Sequence, residues 1–155
     1  MKDFRRLQVW RKAHELVLEV YQATRSFPVE ECYGLTAQAR RASASVPANL
    51  AEACGRGTDR EFGRYLQIGM GSALELEYHL LLARDLGYLN QACYEGLQLR
   101  TQEVQRMLGS LIRKVEQDPK GRRVVHASDC ASGEHHADRP GPAKARVDTE
   151  YLASC

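Results

Sequence analysis

Apolar residues recur every three or four positions through four long stretches of this chain, and each stretch ends at a proline or a glycine. That period is the mark of a helix with one buried face. In the first stretch Leu7, Trp10, His14, Val17, Tyr21 and Thr24 form one stripe. Val9, Ala13, Leu16, Val20, Ala23 and Phe27 form a second. The pair predicts a helix from about Asp3 to Ser26 with a wide buried face, as in a bundle helix that touches two neighbours. Phe27-Pro28 ends it, because the residue before a proline avoids the helical region.

The second stretch, Gly34–Gly57, organises the rest. Leu35, Ala39, Ala42, Val46, Leu50 and Ala53 lie on one helical face. Most of these side chains are small, so a neighbouring helix is expected to approach closely. Pro47 sits inside the segment and lacks an N–H, which predicts a kink, with Ser43 and Ser45 available to satisfy the polar groups it frees. Gly55-Arg56-Gly57 breaks the helix, and Thr58 with Glu61 three residues on is a capping-box pattern.

A third helix is predicted from Asp59 to Asp85 or Leu86, with Phe62, Leu66, Gly69, Ala73, Leu76, Leu80 and Ala83 as its stripe. Gly69 on that stripe suggests that a backbone comes close, and the small face of the second helix is the expected partner. Gly87-Tyr88-Leu89 closes this helix. Asn90 is the expected N-cap of a fourth, Gln91 to Gln117, with Leu97, Val104, Leu108, Leu111 and Val115 inward. Asp118-Pro119 stops it. The pattern reads as an all-α, up-down-up-down four-helix bundle over residues 1–118. Beyond Pro119 the composition turns to Gly, Pro, Ser, Asp and His without a period, and residues 119–155 are expected to form a disordered or weakly ordered tail.

Composition narrows the picture a little. Lys+Arg is 22 and Asp+Glu 20, a net +2 that does not itself argue for nucleic acid. The distribution is uneven: residues 1–64 hold 11 basic against 8 acidic residues, and residues 65–118 hold 5 against 7. No apolar run is long enough for a membrane span, so no membrane association is expected. Five cysteines, an odd count without a CxxC motif, together with a charged N-terminus, fit reduced thiols and a cytoplasmic location.

The basic residues of the first half are the candidate chemistry. They are Arg5, Arg6, Arg11, Lys12, Arg40, Arg41, Arg56, Arg60 and Arg64, and the last five form the candidate nucleic-acid surface on the second and third helices. Guanidinium groups present forked donors that match phosphate. The rival reading pairs them with Glu30, Glu31, Glu52, Asp59 and Glu61. Aromatic residues are sparsely interleaved, so any contact is expected to follow the backbone and not the sequence of the nucleic acid. Gln38, Asn49, Glu52 and Glu75 are expected to meet in a polar packing layer between the second and third helices. Glu75 has Tyr78 at the spacing where di-iron bundles place histidine, with His79 one position later, so no metal or other cofactor is expected. The tail residues His126, Cys130, His135 and His136 match no zinc spacing. No base stands at a readable distance from Ser43, Ser45 or Ser72, and no catalytic activity is expected.

The ordered run Leu7-Gln8-Val9-Trp10, Val20-Tyr21, Phe27-Pro28, Tyr33-Gly34-Leu35-Thr36, Arg40-Arg41-Ala42, Ser45-Val46-Pro47-Ala48-Asn49-Leu50-Ala51-Glu52, Tyr65-Leu66, Gly71-Ser72, Glu75-Leu76-Glu77 and Leu86-Gly87-Tyr88-Leu89 resembles the bacterial four-helix-bundle proteins encoded in 23S rRNA intervening sequences. The resemblance covers roughly Phe4 to Gln117. It departs at Glu52-Ala53-Cys54-Gly55, where the family usually has Glu-Gly, and at Gly69, where alanine is usual. It implies a barrel-like homopentamer. The chain is also similar to accessory proteins of diversity-generating retroelements, which implies RNA or DNA and a reverse transcriptase as partners. Two functional readings follow: a non-catalytic oligomer that binds nucleic-acid phosphates, and a structural or adaptor homo-oligomer that binds a protein such as a reverse transcriptase without touching nucleic acid.

Overall fold

A computed structural model describes residues 3–117; the expected boundary at 118 and the tail 119–155 lie outside the described residues. The described chain is all-helical: α1 Gln8–Ala23, α2 Leu35–Gly55, α3 Asp59–Asp85 and α4 Gln91–Gln117. One-turn 3₁₀ segments precede and follow α1, at Phe4–Arg6 and Thr24–Ser26, so the first predicted helix is shorter and tighter at both ends than its periodicity suggests.

Each helix end has a local cause. Thr58 Oγ1 accepts the Glu61 N–H at 3.2 Å and starts α3. Asn90 Oδ1 accepts the Cys93 N–H at 2.8 Å and starts α4. Gly87 adopts φ +76°, so Gly87 N–H reaches Arg84 O and Tyr88 N–H reaches Ala83 O, both at 2.9 Å. This left-handed glycine closure ties off the carbonyls at the end of α3. At the start of α2 the acceptor comes from the preceding turn: Glu31 Oε2 takes the Leu35 N–H at 2.8 Å. A Cβ at Gly34 would sit on that same carboxylate, so the glycine makes room for it.

Cross-helix pairs fix the topology. Between α2 and α3, Arg41 meets Glu75, Ser45 meets Ser72 and Arg56 meets Tyr65. One number rises as the other falls, so the helices are antiparallel. Glu77 with Gln105 and Gln67 with Glu116 order α3 and α4 in the same way, and Lys12 with Glu103 and Glu19 with Arg100 close the ring between α1 and α4. The four helices form an up-down-up-down bundle. No helix among the described residues is long and apolar enough to cross a membrane.

The interior is a leucine column. Leu16, Leu50, Leu66, Leu76, Leu80, Leu97 and Leu108 are fully buried, at about 2–3 kcal/mol each relative to exposure. The predicted stripes of α2 and α3 are buried throughout. In α1 the stripe from Val9 to Phe27 is core; along the other, Thr24 is buried and Leu7 and Trp10 pack against the core, while His14 and Tyr21 are exposed, with the His14 ring stacked 5.2 Å from that of Trp10. In α4 the core also takes Ile112 and Thr101, whose hydroxyl donates to Leu97 O at 2.8 Å and so can be buried without loss. Cys32 is an exposed thiol, and Cys54 and Cys93 are buried.

Helix α2 runs through Pro47. Ser43 donates to Arg40 O at 2.8 Å and Ser45 shares a 2.9 Å hydrogen bond with Ser72 on α3. The second of these belongs to the closest seam of the bundle. A Cβ on Gly69 would lie 3.6 Å from Asn49 Cβ and 3.7 Å from Val46 O. The α2 backbone therefore passes within ordinary contact of the α3 backbone, with room for one methyl and no more. Gly69→Ala is expected to hold or raise the unfolding free energy by up to about 1 kcal/mol, through helix propensity. Gly69→Leu should lower it by about 1–3 kcal/mol, through overpacking. Urea unfolding of the two variants beside the parent measures both, and equal effects would show that the seam is looser than described.

Candidate nucleic-acid interface

The five candidate arginines separate into two groups. Arg40 is half-buried and held by α1: its Nε donates to Thr24 Oγ1 at 2.8 Å and its guanidinium lies 5.0 Å from the Tyr21 ring centre. Thr24 Oγ1 in turn donates to Val20 O at 2.8 Å, so the arrangement is complete without a ligand. Arg41 is exposed but donates to Glu75 at 2.8 Å and to Gln38 at 2.9 Å. Arg56 bonds the Glu52 carboxylate and the Tyr65 hydroxyl, and its guanidinium packs 4.5 Å over the Tyr65 ring. The Glu52 hydrogen bond pushes the Arg56 guanidinium above its ordinary value.

Arg60 and Arg64 differ. They stand one turn apart near the start of α3, both exposed, and neither has a hydrogen-bond or ion-pair partner among the described residues. Of the nearby carboxylates, Asp59 has no partner among the described residues, and the other two accept from neutral donors. Glu61 caps its own helix through Thr58 at 3.1 Å, and Glu116 accepts from Gln67 at 3.4 Å.

The polar residues do not form one layer. They fall into three clusters along the α2–α3 seam. Gln38, Arg41 and Glu75 sit at one end. Asn49 donates to Ser45 O at 2.8 Å in the middle, beside Ser72. Glu52, Arg56 and Tyr65 occupy the far end. The residues were legible as polar and inward-leaning. Their division follows from antiparallel packing: positions 38, 49 and 52 are spread over four turns of one helix and must meet different turns of the other.

His79 Nε2 lies 3.5 Å from Glu75 Oε1, an ion pair only when the imidazole is protonated, and otherwise neither ring nitrogen has a partner. Among the described residues no three of His, Cys, Asp and Glu gather as a metal would require. At the α1–α4 seam, Glu19 pairs with Arg100 at 2.8 Å while its second oxygen is buried without a partner. Burial pushes the Glu19 carboxyl above the usual carboxylate range, and the Arg100 charge opposes that rise. Periodicity places Glu19 on the polar side of α1 and gives no hint of this seam.

Residues 5–110, more than half of the 155-residue chain, match the family described as 23S rRNA-intervening sequence protein. The chain belongs to that family. A solved relative agrees: a crystal structure from Bacteroides thetaiotaomicron VPI-5482, described as a protein with unknown function from the S23 ribosomal protein family. The two share 25% sequence identity with a TM-score of 0.64, over 68% of this chain and 95% of that one. No curated protein matches. Membership of the 23S rRNA-intervening sequence protein family accounts for the bundle and leaves the role of its charged residues to be argued from their geometry.

The division among the arginines has a measurable consequence. Arg40→Ala removes a half-buried hydrogen bond and a ring contact and is expected to lower the unfolding free energy by about 1–2 kcal/mol. Arg64→Ala removes nothing and should stay within about 0.5 kcal/mol of the parent. Thermal and urea unfolding of both variants decide it, and a destabilised Arg64→Ala protein would reveal a partner for that side chain.

Proposed function

We propose that this protein is a non-catalytic, homo-oligomeric accessory protein that contacts the phosphate backbone of RNA or DNA through arginines of the second and third helices. The observation that carries the reading is the pair Arg60 and Arg64, exposed, one turn apart and unpaired. Arg41 and Arg56 stand along the same seam, each held by one carboxylate at the surface together with Gln38 or Tyr65, and surface ion pairs of this kind are weak enough for phosphate to exchange with them. Arg40 supports the fold and leaves the contact set. The non-catalytic part of the reading draws support from the hydroxyls of Ser43, Ser45 and Thr101, each occupied by a helix carbonyl or by another serine. The family's name links its members to 23S rRNA intervening sequences, which makes RNA the first polyanion to try.

Assembly draws support from apolar surface. Leu74 and Tyr78 on the outer side of α3 are 52% and 59% exposed, and Leu18 on α1 and Leu99 on α4 are 57% and 64% exposed. Leu18 and Leu99 directly precede Glu19 and Arg100, which join α1 to α4. The two patches therefore lie on different sides of the bundle. A patch on one side that packs on a different patch of the next copy builds a ring, in keeping with a pentamer. The same patches favour the second reading, an adaptor oligomer that docks a protein such as a reverse transcriptase.

Two measurements test these readings. Anisotropy titrations with mixed-sequence RNA and DNA duplexes between about 50 and 200 mM salt should show binding that weakens steeply with salt, and Arg60→Gln with Arg64→Gln should flatten the log–log slope by about two units. Absence of binding at the lowest salt would remove the nucleic-acid reading and leave the adaptor. Sedimentation equilibrium should return a five-chain mass, and Leu18→Glu with Leu99→Glu should return the single chain. A parent protein that stays monomeric at micromolar concentration would end the ring.

A further inference from the structure

One carboxylate oxygen at the α2–α3 seam is claimed twice. Glu75 Oε1 accepts from Arg41 Nη2 at 2.8 Å, and His79 Nε2 stands 3.5 Å from the same atom. His79 follows Glu75 by one turn of α3, so the two side chains are neighbours on one face. Both imidazole nitrogens are buried and neither makes a hydrogen bond. A neutral imidazole carries one N–H and one bare nitrogen, so this ring leaves a donor and an acceptor unused inside the protein. Buried polar groups without partners cost free energy and ask for an explanation.

The charged surroundings supply one. A proton on the bare nitrogen makes an imidazolium, and Glu75 is the one carboxylate within ion-pair reach of it among the described residues. Arg41 faces the ring from α2 through that same carboxylate. Further toward this end of the seam are Glu30, Glu31, Cys32 and Tyr33, in the turn ahead of α2. Glu31 spends its two oxygens on the Leu35 N–H and the Tyr88 hydroxyl. On α3 itself the titratable neighbour is Tyr78, with its ring centre 5.8 Å away. Helix α4 packs on the opposite side of α3, where Glu77, two residues before His79 and so about 200° around the helix, accepts from Gln102 and Gln105.

Two cations at one oxygen compete for it. With the ring neutral, Glu75 balances Arg41 and the three side chains sum to zero. With the ring charged they sum to +1, and Arg41 shares its carboxylate. Exposure assigns the parts: the Arg41 side chain is 67% exposed, that of Glu75 39% and that of His79 14%. A ligand meets the arginine. The histidine lies beneath and acts only through Glu75.

We infer that His79 is a proton-operated release for Arg41: the imidazolium draws on Glu75 and leaves the guanidinium to a backbone phosphate. The inference rests on the nucleic-acid reading proposed above and adds a regulator to it. Since the charged ring favours the phosphate complex, the complex favours the charged ring, so docking takes up protons and strengthens as pH falls.

The test follows binding of the full chain to a mixed-sequence RNA duplex at fixed low salt, from about pH 8 to about pH 5, the range in which an imidazole ordinarily changes its charge. The gain in affinity on acidification should be about two- to fivefold larger for the parent than for His79→Gln, the worth of one surface ion pair. Glu75→Gln removes what the two cations compete for. It should bind at the alkaline end as tightly as the parent does at the acid end, and gain little more as pH falls. His14→Gln, at an exposed imidazole on α1, should keep the parent's response. Circular dichroism at each pH checks the fold, and Glu75→Gln, at the more exposed position, decides the matter even where His79→Gln folds poorly. Either of these two variants keeping the parent's pH response overturns the release and leaves the nucleic-acid reading intact. So does an equal loss from His14→Gln, since that reports imidazole charge in general and not a place. Parent protein that binds nothing overturns both.

Discussion

Close approach of α2 and α3 is the constraint on which the rest of the bundle depends. It is set by side chains that are nearly absent: alanines on one helix, and on the other a glycine 3.7 Å from a passing carbonyl once a methyl is imagined there. Dispersion between two backbones at that distance is dense, and leucines above and below the contact fill the remaining volume. The polar groups along this seam are consequences of it. Ser45 reaches Ser72, and Arg41 reaches Glu75, because short distances between axes bring opposite side chains within a hydrogen bond.

The same seam decides which cations remain available. Arg41 and Arg56 meet acceptors on α3 along it, and Arg40 turns instead to Thr24 at the end of α1. At the start of α3 the helices have run out of neighbours. Arg60 and Arg64 are exposed there and meet no acceptor among the described residues. Free charge in this protein is therefore a property of position along the bundle, more than of the count of basic residues, which nearly equals the acidic count.

Much of this was legible in the sequence, for physical reasons that can be named. The burial of Val9, Leu16, Leu50, Leu66 and Leu108 follows from period alone, because burying a leucine is worth more than any local alternative. The caps at Thr58 and Asn90 are short-range and were readable for that reason. What the sequence hid is long-range. Nothing near Arg40 announces Thr24 and Tyr21, and nothing near Glu19 announces Arg100. His14 keeps the spacing of a core residue yet is exposed, stacked on a half-buried Trp10, because the second stripe of α1 is only partly covered. Thr101 breaks the pattern in the other direction: a polar residue enters the core by satisfying itself on its own helix. The candidate polar layer divided into three because spacing along one helix says nothing of the register against another.

The turn before α2 carries one more lesson. Glu31 holds the first amide of that helix with one oxygen and takes the Tyr88 hydroxyl, at 3.4 Å, with the other. The space it occupies is the space any side chain at position 34 would need. A side chain at position 34 would push the Glu31 carboxylate aside and release both groups that it holds.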